Sequence, residues 1–317
     1  SVYGPFGYTA TEIAEIVAYA RERHVKIVPE IEIPGHSREV MMAYPELFCG
    51  NAADWLDATG FTNDHKRPDC MHDTVVCLGN DRTIRFFETV LDEVCDLFPD
   101  SDVIHIGGDE APRKNWERGP KCQARMKALS LETPDQLQSW CARHFIEYLA
   151  RKGRHAIGWS EIMEGGIPRG AFVMSWLTKD CGLRAATNGV PVVMVPNNKC
   201  YFDYPQGLDD LKDVLYPRWC IDRTLSVEKV YAYDPCADIP APFRKYVMGG
   251  EACNWTECTW DARALEWKIF PRAFATAEML WTNAERRDFK AFRPRAERLR
   301  ERFVHEGINA APVSMGL

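Results

Sequence analysis

No uninterrupted apolar run in this 317-residue chain approaches the ~18 residues that a membrane-spanning helix needs. Residues 1–8 are polar and rich in glycine and proline, which is not a signal-peptide pattern. Positive charge is in short supply: 39 basic residues face 46 acidic ones, a net charge of -7. That balance argues against a surface built for nucleic-acid phosphates or anionic membranes. There is no G-x-G-x-x-G and no Walker loop, so nothing marks a nucleotide site. The 12 cysteines are too few for a disulfide scaffold, and no two stand in C-x-x-C spacing. His65, Cys70, His72 and Cys77 form the one local cluster of metal-ligand residue types. Their spacings match no known site, so the expectation is a loop without a metal. Cys49, Cys70 and Cys77 surround a long polar loop, 51–76, where a disulfide stays open.

What is present reads as a folded chain, with 46% hydrophobic and 27% charged residues. Apolar runs at 25–33, 103–106, 155–159, 172–176, 191–195 and 246–250 predict buried strands. Amphipathic spacing predicts helices over 9–23, 81–98, 134–152, 261–281 and 289–306. The first of these opens on Thr9 with Glu12 three residues on, a capping box. Strands that alternate with helices imply a mostly parallel sheet with helices packed outside it. Nearly every predicted strand ends in polar residues, which suits a barrel whose strand ends converge on one centre. The expectation is an α/β fold of the (β/α)8 TIM-barrel type, with about six of eight β/α units in this chain. It would be one barrel domain over 1–317, N-terminally incomplete, with 286–317 as its last helix and tail.

The chemistry gathers at those strand ends. In Ile27-Val28-Pro29-Glu30-Ile31-Glu32-Ile33, alternation puts Glu30 and Glu32 on the face opposite the isoleucines. Burying two carboxylates is expensive unless they are paired. Pro34-Gly35-His36 then ends the strand and sets an imidazole beyond it. His105-Ile106-Gly107-Gly108-Asp109-Glu110 presents two adjacent acids, and its glycines allow a sharp turn that brings both to one place. Adjacent carboxyls in a dry site separate into one acid and one anion. Trp159 with Glu161, Tyr201 with Asp203 and Trp255 with Glu257 are each two apart, so each pair is expected to share a strand face. Trp176 closes another strand. Aromatic faces beside carboxylates hold sugars, the ring stacking on the aromatic and the hydroxyls donating to the acids.

On these residues the chain resembles the catalytic barrel of family 20 glycoside hydrolases, the β-N-acetylhexosaminidases. The matching stretches are V-P-E-I-E-I-P-G-H-S (28–37), H-I-G-G-D-E (105–110), G-W-S-E-I (158–162), V-M-S-W (173–176), Y-F-D-Y (201–204) and N-W-T-E (254–257). The resemblance implies exo-acting, retaining hydrolysis of terminal N-acetylglucosamine or N-acetylgalactosamine, in which the substrate's own 2-acetamido oxygen is the nucleophile. It implies Glu110 as general acid and then base, with His36 and Glu32 behind it and His105 in support. It implies Asp109 on the acetamido N–H and Tyr201 on the acetamido oxygen. Trp159, Trp176 and Trp255 would wall the pocket, and Asp203 and Glu257 would hold sugar hydroxyls. No metal or organic cofactor is implied. The expected partner is a glycan or N-acetylhexosaminide, with no nucleic acid and no membrane span. A secreted, periplasmic or lysosomal location fits the family.

The pattern departs from the family in three places. Glu32 and Ser160 stand where the family has aspartate. The family's first two barrel strands, with a sugar-binding arginine, have no counterpart before Thr9; the first expectation is that this chain is one piece of a longer polypeptide, and the alternatives are a partner segment that supplies the strands or a homodimer that covers the open edge. A lacto-N-biosidase or chitobiase is a variant of the same chemistry. The alternatives from other classes are a sugar-binding pseudoenzyme and a barrel-completing subunit.

Overall fold

The computed structural model describes residues 7–49, 75–212, 216 and 220–316. His65, Cys70 and His72 of the expected cysteine–histidine cluster, and most of the polar loop 51–76, lie outside the described residues. The chain divides into two compact units, Ser1–Val173 and Met174–Leu317.

The first unit opens with α1 (Ala10–Glu22), and the expected capping box is present. The Thr9 N–H donates to Glu12 at 2.7 Å, and the Glu12 N–H donates back to Thr9 Oγ1 at 3.3 Å. Such a pair satisfies two of the orphan N–H groups of a helix start. The 25–33 segment pairs with β1 (Val103–His105) less fully than expected. Only Glu30 forms a parallel bridge, to His105, although the Ile31 N–H donates to the His105 carbonyl and the Ile33 N–H to the Ile106 carbonyl. Pro29 and Pro34 have no N–H to give a ladder. On the other side β1 ends at His105, because Gly107 and Gly108 leave extended geometry with φ of 64° and 106°.

Parallel to β1 lies β2 (His155–Trp159), in the register Val103↔His155 and His105↔Ile157. Helices α3 (Asp81–Leu97) and α6 (Pro134–Arg151) follow the expected spans. Their apolar faces meet through Phe87 and Phe145, with ring centroids 6.3 Å apart. Leu91, Leu149, Ile104 and Ala156 are fully enclosed in this core. The short α2 (Arg38–Ala43) precedes α3, and the short α4 (Lys114–Arg118) and α5 (Pro120–Ala128) lie between the two long helices. The last two were not expected, because their polar sequence shows no apolar stripe.

Strand β3 (Ala171–Ser175) is cut by the division between the units. In the second unit, β4 (Val192–Met194) and β5 (Val247–Gly250) pair in parallel, with a register shift between Val192 and Val193. The helix expected over 261–281 is two helices, α7 (Ala262–Ile269) and α8 (Arg272–Trp281). Pro271 is the reason: it has no N–H for the helix ladder and drives Phe270 into extended geometry, φ -99° and ψ 138°. The last helix, α9 (Phe289–His305), stands where it was expected. No helix among the described residues is long and apolar enough to cross a membrane.

Candidate active site

In the first unit the acidic cluster is built on turns that follow the strand ends. The chain leaves β1 through Gly107 and Gly108 into Asp109 and Glu110, and Glu110 itself has φ 46°. Glycine is needed at 107 for two reasons. Its φ of 64° is left-handed, and a Cβ there would stand 2.1 Å from Glu32 Oε2. A Cβ on Gly108 would stand 2.5 Å from Ile162 Cγ2. Gln138 Nε2 holds the turn by donating to the Gly108 carbonyl at 2.6 Å. His36, with φ 44°, comes from the facing loop. That loop is close enough that a Cβ on Gly35 would lie 2.8 Å from the Asp109 carbonyl.

This packing puts His36 Nε2 3.3 Å from Asp109 Oδ2 and 3.4 Å from Glu110 Oε2. Hydrogen bonding to Asp109 and Glu110 pushes the His36 pKa up to about 10. His36 is therefore a cation at neutral pH. Glu32 is also pushed up, to about 10, first by burial and then by the negative charge of Asp109 and Glu30. It holds a proton at neutral pH. Burial would raise Glu30 too, but hydrogen bonds from His105, Glu32 and Trp159 outweigh it and keep Glu30 below the usual range. Trp159 Nε1 donates to Glu30 Oε1 at 2.8 Å. His105 Nδ1 lies 3.0 Å from that oxygen and accepts from the Gly107 N–H at 3.0 Å, so the ring's tautomer selects between these contacts. The result is a run of groups, Glu30, Glu32, Asp109, His36 and Glu110, in which Glu32 keeps its proton and His36 gains one.

Trp159 is buried, its ring against His105 at a centroid distance of 4.9 Å. Glu161 does not continue the strand face of Trp159 as expected. The chain turns into a 3-10 helix, Ser160–Met163, which brings Ile162 back under Gly108 and Gly158.

In the second unit the expected aromatic residues group around Tyr201. Trp176 stacks on it at 6.1 Å and 15°, and Trp255 lies 6.2 Å away at 54°. A parallel bridge between Tyr201 and Cys253 extends the β4–β5 pairing past both strand ends. Asp203 and Glu257 lie in turns beyond the strands, so the shared strand faces expected for Tyr201 with Asp203 and Trp255 with Glu257 are not regular strand. Glu257 is exposed, whereas Asp203 is fully buried. Neither carboxylate oxygen of Asp203 has a hydrogen-bond partner among the described residues. Burial pushes its pKa up to about 6.

Two buried cations support this group, and the sequence reading missed both. Arg272 is fully enclosed and donates to the carbonyls of Tyr204 at 2.7 Å, Leu225 at 3.3 Å and Phe202. Lys268 is equally enclosed and donates to the Cys258 carbonyl at 2.8 Å. They pin the loops bearing Asp203 and Glu257. Their signal was a pair of basic residues four apart in an otherwise apolar stretch, on either side of Pro271.

The sequence matches the model of glycosyl hydrolase family 20, catalytic domain, over residues 2–284. A beta-hexosaminidase of Porphyromonas gingivalis is 35% identical over 306 residues, 95% of this chain and 37% of that protein. The crystal structure of a GH20 exo beta-N-acetylglucosaminidase from Vibrio harveyi, in complex with N-acetylglucosamine, superposes with a TM-score of 0.82. It is 29% identical, over 97% of this chain and 46% of that one. The beta-N-acetylhexosaminidase of Bacteroides fragilis gives 0.80 at 29% identity, over 98% and 60%. The chain spans about half the length of the curated relatives it matches.

Two expectations follow from the acidic cluster. Gly107→Ala meets a left-handed backbone that costs about 1–2 kcal/mol, besides the contact with Glu32. Thermal unfolding should show a midpoint several degrees lower, and an unchanged midpoint would contradict the geometry. The second concerns pH. Folded Glu32 binds a proton up to about pH 10, whereas the unfolded side chain releases it near 4.5. His36 does the same between 6.5 and about 10. Both stabilise at low pH and lose that contribution as pH rises through their folded values. Denaturant midpoints should fall from pH 7 to 10, and fall less in Glu32→Gln. A midpoint that rises over that range would refute the assignment.

Proposed function

The chain belongs to glycosyl hydrolase family 20, and we propose that it is an exo-acting, retaining β-N-acetylhexosaminidase that removes terminal N-acetylhexosamine from glycans. The observation that supports this most is the contact of His36 Nε2 with the adjacent carboxylates Asp109 and Glu110. That arrangement has a proton donor and an anion side by side, as substrate-assisted hydrolysis requires, and needs no second carboxylate nucleophile.

In the first step the acetamido oxygen of the substrate attacks the anomeric carbon. The glycosidic bond breaks, and Glu110 gives its proton to the leaving oxygen. Asp109 accepts the acetamido N–H and stabilises the positive charge that develops on the oxazolinium ring. In the second step Glu110, now a carboxylate, takes a proton from water as that water attacks the anomeric carbon. The bond to the acetamido oxygen breaks, and the sugar leaves with its β configuration. The His36 cation can donate to either side chain, to Asp109 in the first step and to the Glu110 anion between steps. Glu32 is a positioning residue behind this pair, and His105 orients Glu30 beside it.

The second unit's residues take the substrate-binding roles. Tyr201 donates to the acetamido oxygen. Trp176 and Trp255 form apolar walls beside it. Asp203 and Glu257 accept from sugar hydroxyls. The unpartnered Asp203 oxygens support this role, because a buried carboxylate without donors is costly and hydroxyls would satisfy it. A partner segment or a second copy belongs to the same proposal. The exposed Ile16, Tyr19, Val25 and Val28 of the first unit support it.

Glu110→Gln tests the central role. Turnover of an aryl 2-acetamido-2-deoxy-β-glycoside should fall by about 10²–10⁴-fold with little change in KM. A variant that retains its turnover would refute the assignment, and a wild-type chain that binds the sugar without turnover would favour the pseudoenzyme reading.

A further inference from the structure

Three thiols far apart in sequence meet in the first unit. Cys49 Sγ lies 3.4 Å from Cys122 Sγ, and Cys77 Sγ lies 3.6 Å from the same atom. All three sulfurs fall within 4.8 Å of one another. Cys77 and Cys122 are buried, Cys49 is half-buried, and none of the three is in a disulfide. Tetrahedral ligands at a zinc–sulfur distance of ~2.3 Å stand ~3.8 Å apart, close to the two short spacings here.

The backbone is arranged for this meeting. Cys49 and Cys77 each follow one partner of an antiparallel bridge, Phe48↔Val76. The Cys77 N–H donates to the Leu47 carbonyl at 2.8 Å. Cys122 lies in the first turn of α5. Two glycines close the walls. A Cβ on Gly119 would stand 3.0 Å from Cys49 Sγ, and one on Gly79 2.3 Å from the Cys122 nitrogen. The Gly79 N–H donates to Cys122 Sγ at 3.3 Å, a contact that suits a thiolate.

We propose that Cys49, Cys77 and Cys122 form a binding site for a single thiophilic cation, of the zinc or monovalent-copper class. Soft thiolates select these ions. Binding a divalent ion replaces the three S–H protons: three thiols and M²⁺ give a tris-thiolate complex of charge -1 and release three protons. The site is separate from the acidic cluster and does not depend on the proposed hydrolysis. It is a staple. It ties the segment that runs from His36 through α2 to Cys49 onto the start of α5. The Val76 N–H already donates to the Pro34 carbonyl at 3.1 Å, and Trp116 Nε1 to the Val76 carbonyl at 2.9 Å, so the staple lies behind the loop that presents His36.

The test is titration of the reduced full chain with Cd²⁺, without oxygen, followed by the thiolate-to-cadmium charge-transfer band in the ultraviolet. One tight equivalent is expected, with a higher unfolding midpoint in the loaded protein. Cys122→Ser and Cys49→Ser should each weaken that equivalent more than about 100-fold. Cys181→Ser, outside the triad, should not. X-ray absorption at cadmium in the unmodified chain should show three sulfur neighbours, which keeps the test independent of how the variants fold. A first shell of oxygen and nitrogen, a band that survives both triad variants, or a Cys49–Cys122 disulfide in the protein as purified would each overturn the proposal.

Discussion

One imidazole lies against two carboxylates that are adjacent in sequence, and most of the first unit's local geometry serves that contact. Adjacent side chains in a strand point to opposite faces. Asp109 and Glu110 can face the same imidazole only because the chain has already left extended geometry at Gly107 and Gly108, and because Glu110 is itself left-handed. The same turn leaves room for Glu32 where a side chain at 107 would stand. His36 is left-handed too, and Gly35 lets its loop approach the Asp109 backbone. Strained or glycine-dependent backbone gathers where three acids and a histidine must come close. The charges are then settled by burial: Glu32 keeps a proton, His36 gains one, and Glu30 stays ionised through the donors around it.

The fold class was legible because the period of the pattern was. The chain is α/β, of the (β/α)8 barrel type of its family. Strands at 103–105, 155–159 and 171–175 stand within a residue or so of their apolar runs. Apolar periodicity could not show where such a pattern is interrupted. The helix over 261–281 has an unbroken apolar stripe, yet Pro271 divides it, and the proline could have been weighed. The short helices at 114–118 and 120–128 have no stripe to find.

At the candidate site the residues that touch in space were legible from chemistry, since acids and indoles at strand ends are out of place in a core. What the sequence could not show was what depends on distance between loops. Arg272 and Lys268 lie within the span predicted as one helix, 261–281, and are the enclosed anchors of the Asp203 and Cys258 loops. The thiol group was hidden for the same reason. Cys49, Cys77 and Cys122 are 28 and 45 residues apart along the chain, and no spacing rule joins them.

In the proposed reaction the substrate supplies its own nucleophile while Asp109 and Glu110 act on either side of it. The direct measurement is hydrolysis of an aryl 2-acetamido-2-deoxy-β-glucoside by this chain, beside the analogue that has a 2-hydroxyl in place of the acetamide. Turnover confined to the acetamido substrate is the result the account predicts. Comparable turnover of both would mean that a protein group, and not the acetamide, attacks the anomeric carbon, and the roles given to Asp109 and Glu110 would be wrong.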